Sequence, residues 1–108
     1  MTAASADAPP LHFKDGRLYI TREAYDRHFP GSGTVILLRQ DDDLLVLPVR
    51  NAVSGGYVLK IRNARGDRVV SAADFFRDQG LADDAEWCGA STWSEIYAGL
   101  HLYEFFRM

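Results

Sequence analysis

Short apolar stretches alternate with turn and cap residues along this chain, which is typical of a small β-rich domain. The first two stretches, 11–14 and 17–20, flank Asp15-Gly16, the dipeptide most typical of a tight hairpin turn. We therefore predict two antiparallel strands there. Thr21 is the predicted N-cap of a short helix with its apolar residues on one side, and Pro30-Gly31 ends that helix.

The clearest predicted strand pair consists of two almost uninterrupted apolar runs. TVILLRQ at 34–40 and LLVLPV at 44–49 are separated by three aspartates, Asp41 to Asp43, and predict an antiparallel hairpin with a solvated acidic turn. Pro48 has no backbone N–H to donate, so the end of the second strand is expected at a sheet edge or a bulge. Residues 51–56, NAVSGG, are predicted to be a flexible connector.

The second half begins with the alternating stretch YVLKIRN at 57–63, followed by a predicted turn and a short strand. Ser71 and Asp74 then have the spacing of a capping box, and Gly80 stands where a C′ glycine belongs. These signals predict a helix over 71–79.

The C-terminal part of the chain is harder to interpret. AEWCGAS at 85–91 is compatible with a strand, whereas residues 92–106 suit either a helix or a strand that completes a sheet. Glu95, three residues after Thr92, favours a helix start. Both interpretations stay open from the sequence.

Composition indicates one folded intracellular domain. The chain has 108 residues, 47% of them hydrophobic, and a single cysteine, so no intramolecular disulfide can form. Residues 1–10 lack the features of a secretory signal and are expected to be a disordered lead, with a single domain over 11–108. No apolar run is long enough to span a bilayer, and a cytoplasmic location is expected.

The net charge of −3 is unevenly distributed. Residues 1–70 contain ten Lys and Arg against eight Asp and Glu, whereas residues 71–108 contain two against seven. Because the second part would repel a phosphate backbone, this balance disfavours non-specific nucleic-acid binding.

An internal similarity appears when the chain is displaced by 50 residues. Matched pairs then include Gly16 with Gly66, Ile20 with Val70, Thr21 with Ser71, Tyr25 with Phe75, and Arg27 with Arg77. Such similarity suggests two like units, 11–50 and 57–108, that share one core. Whether they arose by duplication stays open.

The stretch DGRLYITREAYDRHFPGSGTVILLRQDDDLLVLPV resembles the unit of the AbrB and MraZ swapped-hairpin families, and ARGDRVVSAADFFRDQGL resembles the same unit again. The resemblance covers residues 11–81 and implies an α+β fold: a small, mainly antiparallel β-barrel of two related hairpin units with two or three short helices. It also implies DNA binding through four arginines, Arg17, Arg22, Arg65 and Arg68. The family's usual proline is replaced by Thr21 and Ser71.

The sequence has no recognisable catalytic motif, and neither a metal site nor a cofactor is predicted. His12, His28 and His101 are widely separated and do not have the spacing of metal ligands. Cys88 has no CxxC partner and no basic neighbour in sequence, so a buried packing residue is expected.

Large aromatic side chains are concentrated near the C-terminus, a composition typical of interface cores. They are Trp87, Trp93, Tyr97, Tyr103, Phe105 and Phe106. The leading hypothesis is a non-enzymatic protein-interaction module, a small accessory subunit or assembly factor, that docks on a larger protein or a second copy through these residues. The alternative hypothesis is a DNA-binding regulator.

Overall fold

The described part of the chain, residues 10–49 and 56–107 of a computed structural model, is mostly antiparallel β-structure with two short helices, an α+β fold. Its strands are β1 (Pro10–Lys14), β2 (Arg17–Ile20), β3 (Thr34–Gln40), β4 (Asp43–Val49), β5 (Tyr57–Val58), β6 (Lys60–Ile61), β7 (Arg68–Ser71), β8 (Glu86–Ala90), β9 (Thr92–Ser94) and β10 (Gly99–Leu102). Its helices are α1 (Arg22–His28), α2 (Ala73–Asp78) and one turn of 3₁₀-helix (Phe105–Arg107). Most of the predicted lead (1–9) and of the predicted connector (51–55) lies outside the described residues, while Pro10 already belongs to β1.

The strands form two five-stranded sheets. Sheet A has the order β6-β7-β2-β1-β8, and sheet B has the order β5-β3-β4-β10-β9. Each neighbouring pair of strands is antiparallel. Strands β5 and β6 follow each other in the chain but belong to different sheets, and so do β8 and β9.

The first hairpin and helix form as predicted. In the β1–β2 turn Asp15 and Gly16 have φ values of 54° and 76°, the left-handed conformation that tight hairpin turns require. A Cβ on Gly16 would lie 2.7 Å from the Cβ of Ala73, so glycine also allows α2 to approach this turn. Thr21 caps α1, because its Oγ1 accepts a hydrogen bond from the Ala24 N–H at 3.2 Å.

The second predicted hairpin is also confirmed. Strands β3 and β4 pair along their whole length, from Thr34 with Val49 to Gln40 with Asp43. The ladder between β4 and β10 ends at Val46. Pro48 therefore lies beyond the part of β4 that pairs on both sides, where its missing N–H breaks no ladder bond on the β10 side.

The predicted capping box at the second helix is wrong. Ser71 is the last residue of β7 and pairs with Arg17 of β2, and α2 begins after Ala72 without a side-chain cap. The prediction for the C-terminus of this helix is confirmed, because Gly80 has φ +90°. Its N–H donates to the Arg77 carbonyl, and the N–H of Leu81 donates to the Phe76 carbonyl.

The C-terminal residues resolve the open choice in favour of strands. Residues 86–90 form β8, and residues 92–102 form the hairpin β9–β10. Thr92 pairs with His101 instead of capping a helix. Ala98 has φ 55°, which turns the chain into β10.

The core lies between the sheets and is aliphatic and aromatic. Sheet A contributes one face of β1 and β2, and sheet B contributes one face of β3, β4 and β10. Its main members are Leu11, Phe13, Leu18, Ile20, Phe29, Val35, Leu37, Leu44, Val46, Val70, Phe76, Leu100, Leu102 and Phe105. None of the helices in the described ranges has the length and apolar character that a membrane crossing requires.

Candidate functional site

The outer side of sheet B, facing away from the core, is apolar. Successive side chains of a strand point to opposite sides, so Val35 and Leu37 enter the core while Ile36 and Leu38 point outward. The same alternation on β4 and β5 sends three further aliphatic side chains outward. We call this the outer apolar face, formed by Ile36, Leu38, Leu45, Leu47 and Val58.

Part of the outer apolar face is exposed and part is packed against itself. Leu38 is 45% exposed and Val58 is 58% exposed. Leu45, which lies between Leu38 and His101 in the ladder, is only 2% exposed. Leu47 packs against Gly99, since a Cβ added to Gly99 would lie 2.5 Å from Leu47 Cδ2. A continuous apolar surface therefore has a packed centre and open ends.

The outer side of sheet A is polar by comparison. Lys14 and Arg17 are exposed on β1 and β2, and Lys60 is exposed on β6. His12 and Glu86 form an exposed ion pair with Nε2 and Oε2 3.0 Å apart. The strands of sheet A thus alternate between core and solvent residues in the ordinary way.

A histidine–carboxylate pair borders the outer apolar face. His101 Nε2 lies 2.8 Å from Asp43 Oδ2, and the Glu104 N–H donates to Asp43 Oδ1 at 2.7 Å. The bond from the Glu104 backbone, followed by that from His101, lowers the pKa of Asp43 below its ordinary value. Tyr103 stacks on the His101 ring at 3.9 Å between centroids, and Tyr97 approaches its edge at 6.1 Å.

The acidic β3–β4 turn is an anchor and not simply a solvated turn. The carbonyl of Asp42 accepts the Phe106 N–H at 2.8 Å, and the carboxylate of Asp42 pairs with Arg107 Nε at 3.1 Å. Arg39 Nη2 lies 3.5 Å from the same carboxylate. The turn and the start of β4 therefore hold the C-terminal 3₁₀ segment through contacts between residues that are more than 60 positions apart in sequence.

The six predicted aromatic residues are divided between core and surface. Phe105 is completely buried, so its ring cannot belong to a docking surface. The half-buried aromatics are used in packing: Trp87 against Phe105, Trp93 on His28, and Phe106 beneath the Arg39 guanidinium. Tyr97 and Tyr103 stay exposed, at 36% and 58%, and both border the outer apolar face.

Two of the four predicted arginines, Arg22 and Arg65, contact Asp67, and a third, Arg68, follows Asp67 in the chain. The backbone N–H of Arg22 donates to Asp67 Oδ1 at 2.8 Å, and Nε of the Arg65 guanidinium lies 3.7 Å from Asp67 Oδ2. Arg68 packs its guanidinium 3.9 Å above the Tyr25 ring. Hydrogen bonds from Asn63, then from the Arg22 backbone, lower the pKa of Asp67.

The fourth predicted arginine is separate from this cluster. Arg17 lies at the opposite end of the β2–β7 ladder, since it pairs with Ser71 while Ile20 pairs with Arg68. Sequence reasoning also missed Arg62, whose guanidinium lies 4.7 Å above the Tyr19 ring.

A shallow groove of about 270 Å³ lies on sheet A, and Cys88 is part of its wall. The predicted burial of Cys88 is wrong: the thiol is exposed because Cys88 pairs with the outward-pointing His12. The other residues that line the groove are Leu11, His12, Tyr19, Ile20, Thr21, Arg62 and Asp67. Within residues 10–49 and 56–107, no three His, Cys, Asp or Glu side chains are grouped to hold a metal ion.

The outer apolar face escaped the sequence-based list of site residues, although a signal for it was present. Strands with one solvated face alternate between apolar and polar residues, whereas TVILL and LLVL do not alternate. Such runs are typical of strands that are covered on both sides. In a search for similar proteins, no family model matches the chain, and neither does a curated protein or a solved structure.

Proposed function

We propose that this chain is a non-enzymatic protein-interaction module, a small accessory subunit or assembly factor that docks on a larger protein through the outer apolar face. One observation carries the proposal: β3 and β4 turn aliphatic side chains to both sides of sheet B. The core covers one side, while Leu38 and Val58 on the other side remain about half exposed. A partner that removes such apolar area from water lowers the free energy of the complex.

The border of the face supports the same function. Tyr97 and Tyr103 present large rings whose polar tips remain hydrated, and tyrosine is enriched in the centres of protein interfaces. Lysines are concentrated on the other sheet, at Lys14 and Lys60. Depletion of lysine is a further property of interface centres.

We also propose that the two sheets form the swapped-hairpin barrel. The strand changes at Leu59 and Ser91, where successive strands pass from one sheet to the other, support closure at both margins. Reciprocal contacts support two related units. The Ala72 N–H at the start of α2 donates to Gly16 O in the first unit, and the Arg22 N–H at the start of α1 donates to Asp67 in the second unit.

The alternative proposal is a DNA-binding regulator, which the clustering of Arg22, Arg65 and Arg68 favours. Against it, Asp67 lies among these arginines and Arg17 is at the other end of the ladder. Such binding would weaken steeply with salt, since each phosphate contact releases counterions.

The test is affinity purification of the tagged full-length chain from its native host, with a nuclease-treated parallel sample. Leu38→Ser is compared with Ile61→Ser, which changes an exposed aliphatic residue of β6 that is 66% exposed and belongs to the other sheet. Both variants are expected to fold, because surface substitutions usually change the free energy of unfolding by about 0.5 kcal/mol or less.

A stoichiometric protein that survives nuclease, remains bound to Ile61→Ser and is lost from Leu38→Ser is the expected result. A partner that is lost from neither variant, or from both equally, contradicts docking on the outer apolar face. Recovery of DNA alone, abolished by nuclease and by the double variant Arg22→Ala/Arg65→Ala, identifies the regulator instead.

A further inference from the structure

The border of the outer apolar face has an aromatic surface that is open on one side. His101 stacks against one side of the Tyr103 ring, with an angle of 12° between the two planes. Tyr103 nevertheless remains 58% exposed, so the opposite side of its ring is accessible to solvent. The π-face of an exposed tyrosine attracts a cationic side chain.

Carboxylates are concentrated at the end of the border where this ring lies. Asp41 and Asp42 form the β3–β4 turn, Asp43 begins β4 and bonds to His101 beneath the ring, and Glu104 follows Tyr103 in the chain. The hydrogen bonds that lower the pKa of Asp43 keep its carboxylate charged at neutral pH.

The positive charges near this border do not balance the carboxylates. Arg39 and Arg107 both pair with Asp42, and Arg107 Nη1 also lies 3.6 Å from Glu104. Among the described residues, Asp41 has no ion-pair partner, so two arginines face four carboxylates at this end of the border. The border therefore has an excess of negative charge beside an apolar surface.

We propose that the partner presents a cationic amphipathic segment, with apolar side chains on the outer apolar face and a Lys or Arg on the open side of Tyr103, next to Glu104. The inference rests on the proposed function and adds the chemistry of the partner. Complementary charge at the border speeds association and rejects acidic partners. A second copy of this chain would bring the same acidic border against itself, so self-association is not expected through this face.

The experiment titrates the full-length protein with two synthetic amphipathic peptides of equal length and identical leucine positions. One peptide has lysine at its polar positions, and the other has glutamate. We expect the lysine peptide to bind at least about tenfold more tightly at low ionic strength, and the difference to shrink near 0.15 M salt, where the Debye length falls to about 8 Å.

Two matched pairs of variants locate the binding. Glu104→Gln and Asp84→Asn remove the same charge, but Asp84 lies in the exposed segment between α2 and β8, a strand of sheet A. Tyr103→Ser is compared with Ile61→Ser. We expect Glu104→Gln and Tyr103→Ser each to weaken binding of the lysine peptide several-fold, and the two controls to leave it unchanged.

Equal binding of the two peptides overturns the inference. Equal losses of affinity from Glu104→Gln and Asp84→Asn also overturn it, because they indicate attraction by net charge alone. The proposed function fails separately. If Leu38→Ser releases the natural partner but Glu104→Gln does not, the docking face is correct and the partner chemistry is wrong.

Discussion

The outer sides of the two sheets differ more than their inner sides do. On sheet A charged and polar residues such as Lys14 and Arg17 predominate at the positions that alternate with the core, with Val69 as an aliphatic member. On sheet B the equivalent positions of β3 and β4 are aliphatic, such as Leu38 and Leu45. Because both sheets cover the same core, packing of that core does not account for this difference, whereas the docking proposed above would account for the open ends of the outer apolar face.

The same contrast appears in two histidine–carboxylate pairs, one on each outer side. His12 and Glu86 are 3.0 Å apart on sheet A, with side chains 44% and 57% exposed. His101 and Asp43 are 2.8 Å apart on sheet B, with side chains 11% and 24% exposed. Water screens the first pair strongly and the second much less, so similar distances do not imply similar energies.

The largest expected effect comes from the centre of the outer apolar face. Leu45→Ala should lower the free energy of unfolding by about 2–5 kcal/mol, because it leaves a cavity at a fully packed position. Lys14→Ala on the outer side of sheet A should change it by about 0.5 kcal/mol or less. Urea unfolding measures both. A cost below about 1 kcal/mol for Leu45→Ala would contradict the packed centre.

An intermediate effect is expected from the two histidine–carboxylate pairs. Asp43→Asn weakens bonds from His101 and from the Glu104 N–H, and should cost about 1–3 kcal/mol at neutral pH. Glu86→Gln removes the exposed pair and should cost less than about 1 kcal/mol. Thermal unfolding at one pH compares them directly, and equal losses would show that burial does not distinguish the pairs.

The smallest expected effect is a pH dependence of the Asp43 contribution. The folded-state pKa of Asp43 is lowered, so its stabilisation is fully present above the unfolded-state value near 3.8 and is lost as the pH falls through the lower folded-state value. The stability difference between wild type and Asp43→Asn should therefore shrink as the pH falls below about 3.8, and the two proteins should converge in acid. A difference that is unchanged down to the acid limit would exclude this linkage.

Local signals predicted those elements whose hydrogen bonds close within a few residues. Asp15-Gly16 forms its turn and Thr21 caps its helix, because the atoms involved are neighbours in the chain. Gly80 ends α2 for the same reason. In each case the residue type restricts the backbone directly.

Predictions failed where a distant strand competed for the same residue. Ser71 was predicted to cap a helix, but its backbone pairs with Arg17. At Thr92 the sequence left helix and strand open, and pairing with His101 decides for the strand. Cys88 was expected to be a buried packing residue because it has no CxxC partner and no basic neighbour in sequence, yet the register with His12 places it outside.

In the candidate site, too, local sequence signals predicted some residues, and distant contacts decided the position of others. Tyr97 and Tyr103 were predicted and lie exposed at its border, whereas Phe105 in the same segment belongs to the core. Aromatic content does not distinguish these two fates, because both the core and an interface select large rings. Leu38 and Val58 were missed because aliphatic residues in strands are ordinarily assigned to the core.

The sequence by itself determined the turns, the first helix, the end of the second helix and the two apolar runs of β3 and β4, since these depend on residue type and short-range spacing. Only the tertiary structure decided which side of those runs the core covers and which acids hold the C-terminal segment. The physical reason is that an apolar side chain has the same preference for leaving water whether its own chain or a partner covers it.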